Sequence, residues 1–114
     1  MSVHLITGDD ESLVLDAISQ LLDQLVGTGD RSLMLDDFDG TEYTLSAVVD
    51  SALTPPFLTD RRVVVARGVG RFGADDVAPL IGYLADPMES TDLVLVGGGG
   101  RMPKALTDAA KKSA

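Results

Sequence analysis

The sequence predicts an α/β domain of three layers, a parallel sheet with helices on both faces. Four short apolar runs rich in β-branched residues, Val3 to Ile6, Leu33 to Leu35, Val63 to Ala66 and Leu93 to Val96, recur about every thirty residues, the length of one strand and its returning helix. Between them the apolar residues change to helical spacing, so strands alternate with helices and the connections are right-handed crossovers. The strands are continuously apolar rather than alternating, as expected when both faces of a sheet are covered.

The first helix places Leu13, Val14, Ala17, Ile18, Leu21, Leu22, Leu25 and Val26 on one face and Asp16, Gln20, Asp23 and Gln24 on the other. Asp9, Asp10 and Glu11 mark its start, where carboxylates can cap free N–H groups and complement the helix dipole. Gly27 and Gly29 mark its end. The second helix carries Leu45, Val48, Val49, Ala52 and Leu53 on one stripe and stops at Pro55 and Pro56, which supply no N–H. A third helix is predicted from Asp75 to Ala85, with Val77, Leu80, Ile81 and Leu84 inward. A fourth starts near Met102 and continues at Lys111 and Lys112. A sheet of this size commonly takes one more strand, so the chain reads as residues 1–114 of a longer protein.

At 114 residues there is room for one domain with one core. Cysteine is absent, which excludes disulfides and thiolate chemistry and agrees with a cytoplasmic location. The start lacks the pattern of a signal peptide, and no apolar run reaches the roughly 20 residues that span a bilayer. A net charge of −9 opposes direct binding to a phosphate backbone. The charge is uneven: residues 1–60 hold twelve acids and the single base Arg31, whereas 61–114 hold eight bases and six acids.

In such sheets ligands sit beyond the carboxyl ends of the strands. Thr7-Gly8-Asp9-Asp10-Glu11 stands where a phosphate-binding loop would be, yet it offers one glycine, three acids and no lysine. That much like charge repels a triphosphate, so the loop reads as a capped helix start. The third strand ends in Arg67-Gly68, where an ATPase needs acids to hold Mg²⁺. Arg67 is either a charge reversal at that point or a solvated strand end. Asp9, Asp10, Asp36, Asp37 and Asp39 could form a Mg²⁺ pocket, but a third strand ending in Arg67 favours separate capping and turn roles. His4 is the only histidine, and with no cysteine and no serine on a nucleophile elbow no triad can be assembled. No cofactor or metal site is expected. The run Gly97 to Gly100 reads as a mobile linker or an anion cradle.

Between the second helix and the third strand lies Leu53-Thr54-Pro55-Pro56-Phe57-Leu58-Thr59-Asp60-Arg61-Arg62. Two prolines stiffen a backbone that then presents two large apolar side chains. Phe57 and Leu58 either fold back over the core or form a rigid apolar wedge for another protein.

The succession His4-Leu5-Ile6-Thr7-Gly8-Asp9-Asp10-Glu11 with its apolar helix, followed by Ala52-Leu53-Thr54-Pro55-Pro56-Phe57-Leu58-Thr59-Asp60-Arg61-Arg62-Val63-Val64-Val65, resembles the N-terminal domain of the delta subunit of bacterial DNA polymerase III. The resemblance implies a Rossmann-like P-loop NTPase fold of AAA type with a degenerate phosphate loop, followed by a helical lid and a collar domain. It implies a clamp-loader subunit without a catalytic site of its own, which binds the sliding clamp and favours ring opening during DNA replication. In the family an apolar pair before the third strand enters a pocket on the clamp; the matching positions are Pro56 and Phe57, with Leu58, Thr54 and Leu53 shaping the wedge. The other partners implied are the gamma/tau and delta prime subunits, and DNA within the full complex, in the replisome. The competing reading is a regulatory α/β domain that binds an ion or nucleotide at its acidic strand ends; another is an assembly module in which the Phe57 loop is core.

Overall fold

The computed structural model describes residues 2–7, 10–27, 34–39, 43–54, 61–69, 72, 76–86, 90–97, 104, 106, 108 and 109. Four parallel strands, β1 (Ser2–Ile6), β2 (Leu35–Phe38), β3 (Arg62–Arg67) and β4 (Thr91–Val96), lie in the order β1-β4-β3-β2. Helices α1 (Glu11–Val26), α2 (Leu45–Leu53) and α3 (Ala78–Ala85) follow β1, β2 and β3. Residues 104, 106, 108 and 109 are helical.

Strand pleating divides the core into two clusters, because successive side chains point to opposite faces. Val63, Val65, Val94 and Val96 pack with Ile18, Leu22 and Val26 of α1 on one face. Val64, Ala66, Leu93 and Leu95 pack with Val48, Ala52, Leu80, Leu84 and Leu106 on the other. The central strands β3 and β4 are therefore apolar on both faces, and Val63, Val64, Val65, Leu93, Val94 and Leu95 are fully buried. This is the three-layer parallel arrangement expected from the sequence. The α1 connection runs from one edge of the sheet to the other, while α2 and α3 step back across it on the opposite face. One crossover hand thus serves all three units.

Boundaries differ from expectation in three places. Strand β2 starts at Leu35 rather than Leu33 and extends through Asp36, Asp37 and Phe38; acids are poor strand formers, but both here meet arginines of β3. Helix α3 starts at Ala78, with Pro79 in its first turn, so the preceding Val77 is buried without being helical. The inward stripe of α1 is narrower than drawn, with Leu13 at 66% exposure and Ala17 also exposed. Its other expected inward residues are buried or half-buried, and α1 ends at Gly27, whose positive φ of 58° glycine adopts without strain. No helix among the described residues is long and apolar enough to cross a membrane.

Candidate partner-binding site and the crevice above the sheet

The neighbouring strands β1 and β4 send their chains to opposite faces of the sheet: α1 leaves β1 toward one face, and the helical residue Leu106 that follows β4 packs on the other. The carboxyl ends of these neighbouring strands form the crevice in which this fold class places its ligands. Backbone pairing of the two strands continues to their ends, where Gly97 N–H donates to Ile6 C=O at 2.9 Å. The N-terminus of α1 is occupied by its own chain. Asp10 Oδ1 accepts the N–H groups of Ser12 at 3.0 Å and Leu13 at 3.3 Å, two of the donors a phosphate would use. The expected capping role of Asp10 is thus present; Gly8 and Asp9 lie outside the described residues.

At the end of β3, Arg67 is not a solvated terminus. Its Nε and Nη2 donate to Oδ1 and Oδ2 of Asp37, both at 2.9 Å, the forked geometry of guanidinium with carboxylate. The hydrogen bond with Asp37 raises the Arg67 pKa above its ordinary value; burial opposes this, and Coulomb attraction to Asp37 and Asp39 adds to it. Tyr43 Oη donates to the Arg67 carbonyl, and the Tyr43 ring packs between Phe38 at 5.6 Å and Phe72 at 5.5 Å. A paired arginine under an aromatic cluster stands at the strand end where Mg²⁺ ligands would have to be. The separate turn roles expected for Asp36 and Asp37 are overturned: Asp36 pairs with Arg62 and Asp37 with Arg67. Among the described residues no group of three or more acids, histidines or cysteines could hold a metal ion.

The amino end of the sheet is built differently. Arg62 Nη2 donates to Asp36 Oδ2 and lies 3.3 Å from Ser51 Oγ, while Ser51 Oγ also donates to Asp36 Oδ2. Thr91 Oγ1, buried on β4, donates to the Ala52 carbonyl at 3.0 Å. Arg61 Nε donates to Oδ2 of the buried Asp92 at 2.9 Å, and this bond raises the Arg61 pKa despite some burial, with Coulomb attraction to Asp92 assisting. The other Asp92 oxygen lies 4.0 Å from Nε2 of His4. None of Ser51, Thr91 and Asp92 is singled out by the sequence. Its one hint is a polar pair, Thr91-Asp92, heading a strand otherwise made of leucine and valine.

Of the residues expected to meet a partner, Leu53 and Thr54 are described. Leu53, expected on the buried stripe of α2, is 49% exposed in the last position of that helix. Thr54 is exposed and extended, with φ −74° and ψ 124°, the conformation imposed on a residue preceding proline. Its Oγ1 and N–H satisfy the carbonyls of Asp50 at 2.8 Å and Ser51 at 3.1 Å. Pro56, Phe57 and Leu58 lie outside the described residues, as does most of the Gly97 to Gly100 run.

No curated protein matches this chain. Among solved structures it is similar to the DNA clamp loader delta protein of Bacillus subtilis, with a TM-score of 0.77 and 26% identity over 100% of this chain and 37% of that one. It also shares the fold of a DNA polymerase III gamma subunit-related protein of Thermotoga maritima, with a TM-score of 0.76 and 16% identity over 95% of this chain and 38% of that one. The chain therefore spans little more than a third of the length of these structures, and its fold is that of the AAA-type clamp-loader proteins. The family model described as DNA polymerase III, delta subunit, matches residues 4–114, and the chain belongs to that family.

Proposed function

We propose that this domain is the clamp-contacting N-terminal part of a clamp-loader delta subunit, acting through an apolar wedge formed by Pro56 and Phe57 and flanked by Leu53, Thr54 and Leu58. The observation that carries the reading is Leu53. A leucine in register with the buried stripe of α2 is instead half in water, directly before a pre-proline residue in extended conformation. An exposed leucine leading into the sequence Pro55-Pro56-Phe57-Leu58 supports an aromatic anchor presented at low entropy cost.

The same domain does not hydrolyse ATP in this reading. Asp10 fills the amides at the head of α1 and Arg67 stands paired at the end of β3, so ATP chemistry falls to neighbouring motor subunits. The wedge favours the open clamp only to the extent that it binds that state more tightly than the closed ring. Lid and collar domains follow residue 114 in the full-length protein and hold the gamma/tau and delta prime subunits. DNA is met only within the assembled complex, in the cytoplasm at the replisome.

Burying a phenylalanine stabilises a complex by about 1.5–3 kcal/mol, so Phe57→Ala is expected to weaken binding to the sliding clamp about tenfold or more. Surface-binding measurements against the clamp of the same organism test this. An unchanged dissociation constant with unchanged melting removes the wedge from the proposal.

A further inference from the structure

Helix α2 ends without a glycine, yet three of its last four carbonyls have partners. Those of Asp50 and Ser51 accept from Thr54, and that of Ala52 accepts from Thr91 on β4. Such carbonyls have no partner inside a helix, so here the end of α2 is fastened to its own next residue and to the sheet. The far end of the 55–60 segment is fastened to the same corner. Arg62 N–H donates to the Ser90 carbonyl at 2.9 Å, and Arg61 pairs with the buried Asp92 next to Thr91. The two ends are also joined directly, because the Arg62 guanidinium and Ser51 of α2 share one oxygen of Asp36. This joint draws its polar atoms from β2, α2 and β3, while Thr91 adds β4. Its geometry fixes where the chain leaves α2, at Leu53, and where it enters β3, at Arg62.

We propose that Asp36, Ser51, Arg62 and Thr91 are positioning residues that hold the end of α2 and the start of β3 at one corner of the sheet, and that partner binding through the segment joining these two ends depends on them. This rests on the clamp-wedge reading and adds to it the part of the domain that presents the wedge. A segment tethered at both ends loses less freedom on binding than one tethered loosely. Releasing the anchor therefore weakens partner affinity even though none of the four residues touches the partner.

The test is a double-mutant cycle in the full-length protein against the sliding clamp of the same organism, measured by surface binding. Asp36→Asn and Thr91→Val are each made with Phe57 intact and in the Phe57→Ala background. Each is expected to weaken binding about three- to tenfold when Phe57 is present, the range in which ordering costs return to the binding equilibrium. In the Phe57→Ala background each is expected to do nothing further, because only coupled residues depart from additivity. Equal losses in both backgrounds, or no loss in either, overturn the anchor. If Phe57→Ala binds as tightly as wild type, the wedge itself fails and the anchor with it; if Phe57→Ala weakens binding and the anchor variants do not, the anchor alone fails. Asp36 is partly exposed, so Asp36→Asn keeps the cycle readable if Thr91→Val melts too low to measure.

Discussion

The two ends of this sheet use the same chemistry, a guanidinium against a carboxylate, in different surroundings. At the carboxyl end Arg67 and Asp37 keep 23% and 36% of their side-chain surfaces in water, and Asp10 caps its helix in the open. At the amino end Asp92 keeps 3%, and Thr91 is buried beside it. Ion pairs in water contribute little net stability, because Coulomb gain, side-chain entropy and screening nearly cancel. A carboxylate taken out of water depends on its partner, and losing that partner leaves an uncompensated charge. The groups that stand at the crevice end thus add little to folding. The end that carries the proposed wedge is tied into the core.

The largest expected effect breaks the pair at the buried end. Arg61→Ala leaves Asp92 without its guanidinium and is expected to destabilise the fold by about 3 kcal/mol, the low end for a broken buried pair because Arg61 itself is partly exposed. The matching change at the crevice end, Arg67→Ala, is expected to stay below about 1 kcal/mol. Urea titrations of the two variants read the difference directly. Equal losses would mean that the ends are not energetically distinct.

A middle-sized effect sharpens the picture of the crevice. Asp10→Ala removes the side chain that accepts from Ser12 and Leu13 and is expected to cost about 1 kcal/mol, the usual worth of an N-cap. Thermal melts would show a fall of a few degrees for a domain of this size. No change would imply that another group caps α1 and that Asp10 is not what fills the head of the helix.

Much of this could be read from residues alone, and what could not has a common cause. The apolar runs of β3 and β4 gave away their strands because burial on both faces demands continuous apolar side chains. Strand β2 was harder: Asp36 and Asp37 look like loop residues until Arg62 and Arg67, twenty-six and thirty positions later, come alongside them. Leu53 matches the helical stripe, and only the end of α2 decides that it faces water. The cap of α1 was legible because Asp10 stands directly before the apolar helical pattern. The hydrogen-bonded joint at the other end was not, since Asp36, Ser51, Arg62 and Thr91 come from four elements, and nothing in their spacing announces it. Local chemistry shows in sequence; chemistry assembled by the sheet does not.

The smallest expected effect is none at all, and it bears on the crevice most directly. A ligand present at a hundred times its dissociation constant stabilises a fold by about 2.7 kcal/mol, which a melting curve resolves easily. Mg²⁺ with ATP at millimolar concentration is expected to leave the melting temperature of this protein unchanged. The α1 amides are held by Asp10, and the end of β3 presents a paired arginine where the metal would need oxygen. Asp10→Ala extends the test, because it frees the amides while leaving Arg67 bound to Asp37. If two free N–H groups were all the crevice lacked, that variant would gain a shift with ATP; if the strand end also matters, it gains none. A shift already present in the unaltered protein would favour the ion- or nucleotide-binding reading and make Asp10 a residue that moves aside for phosphate.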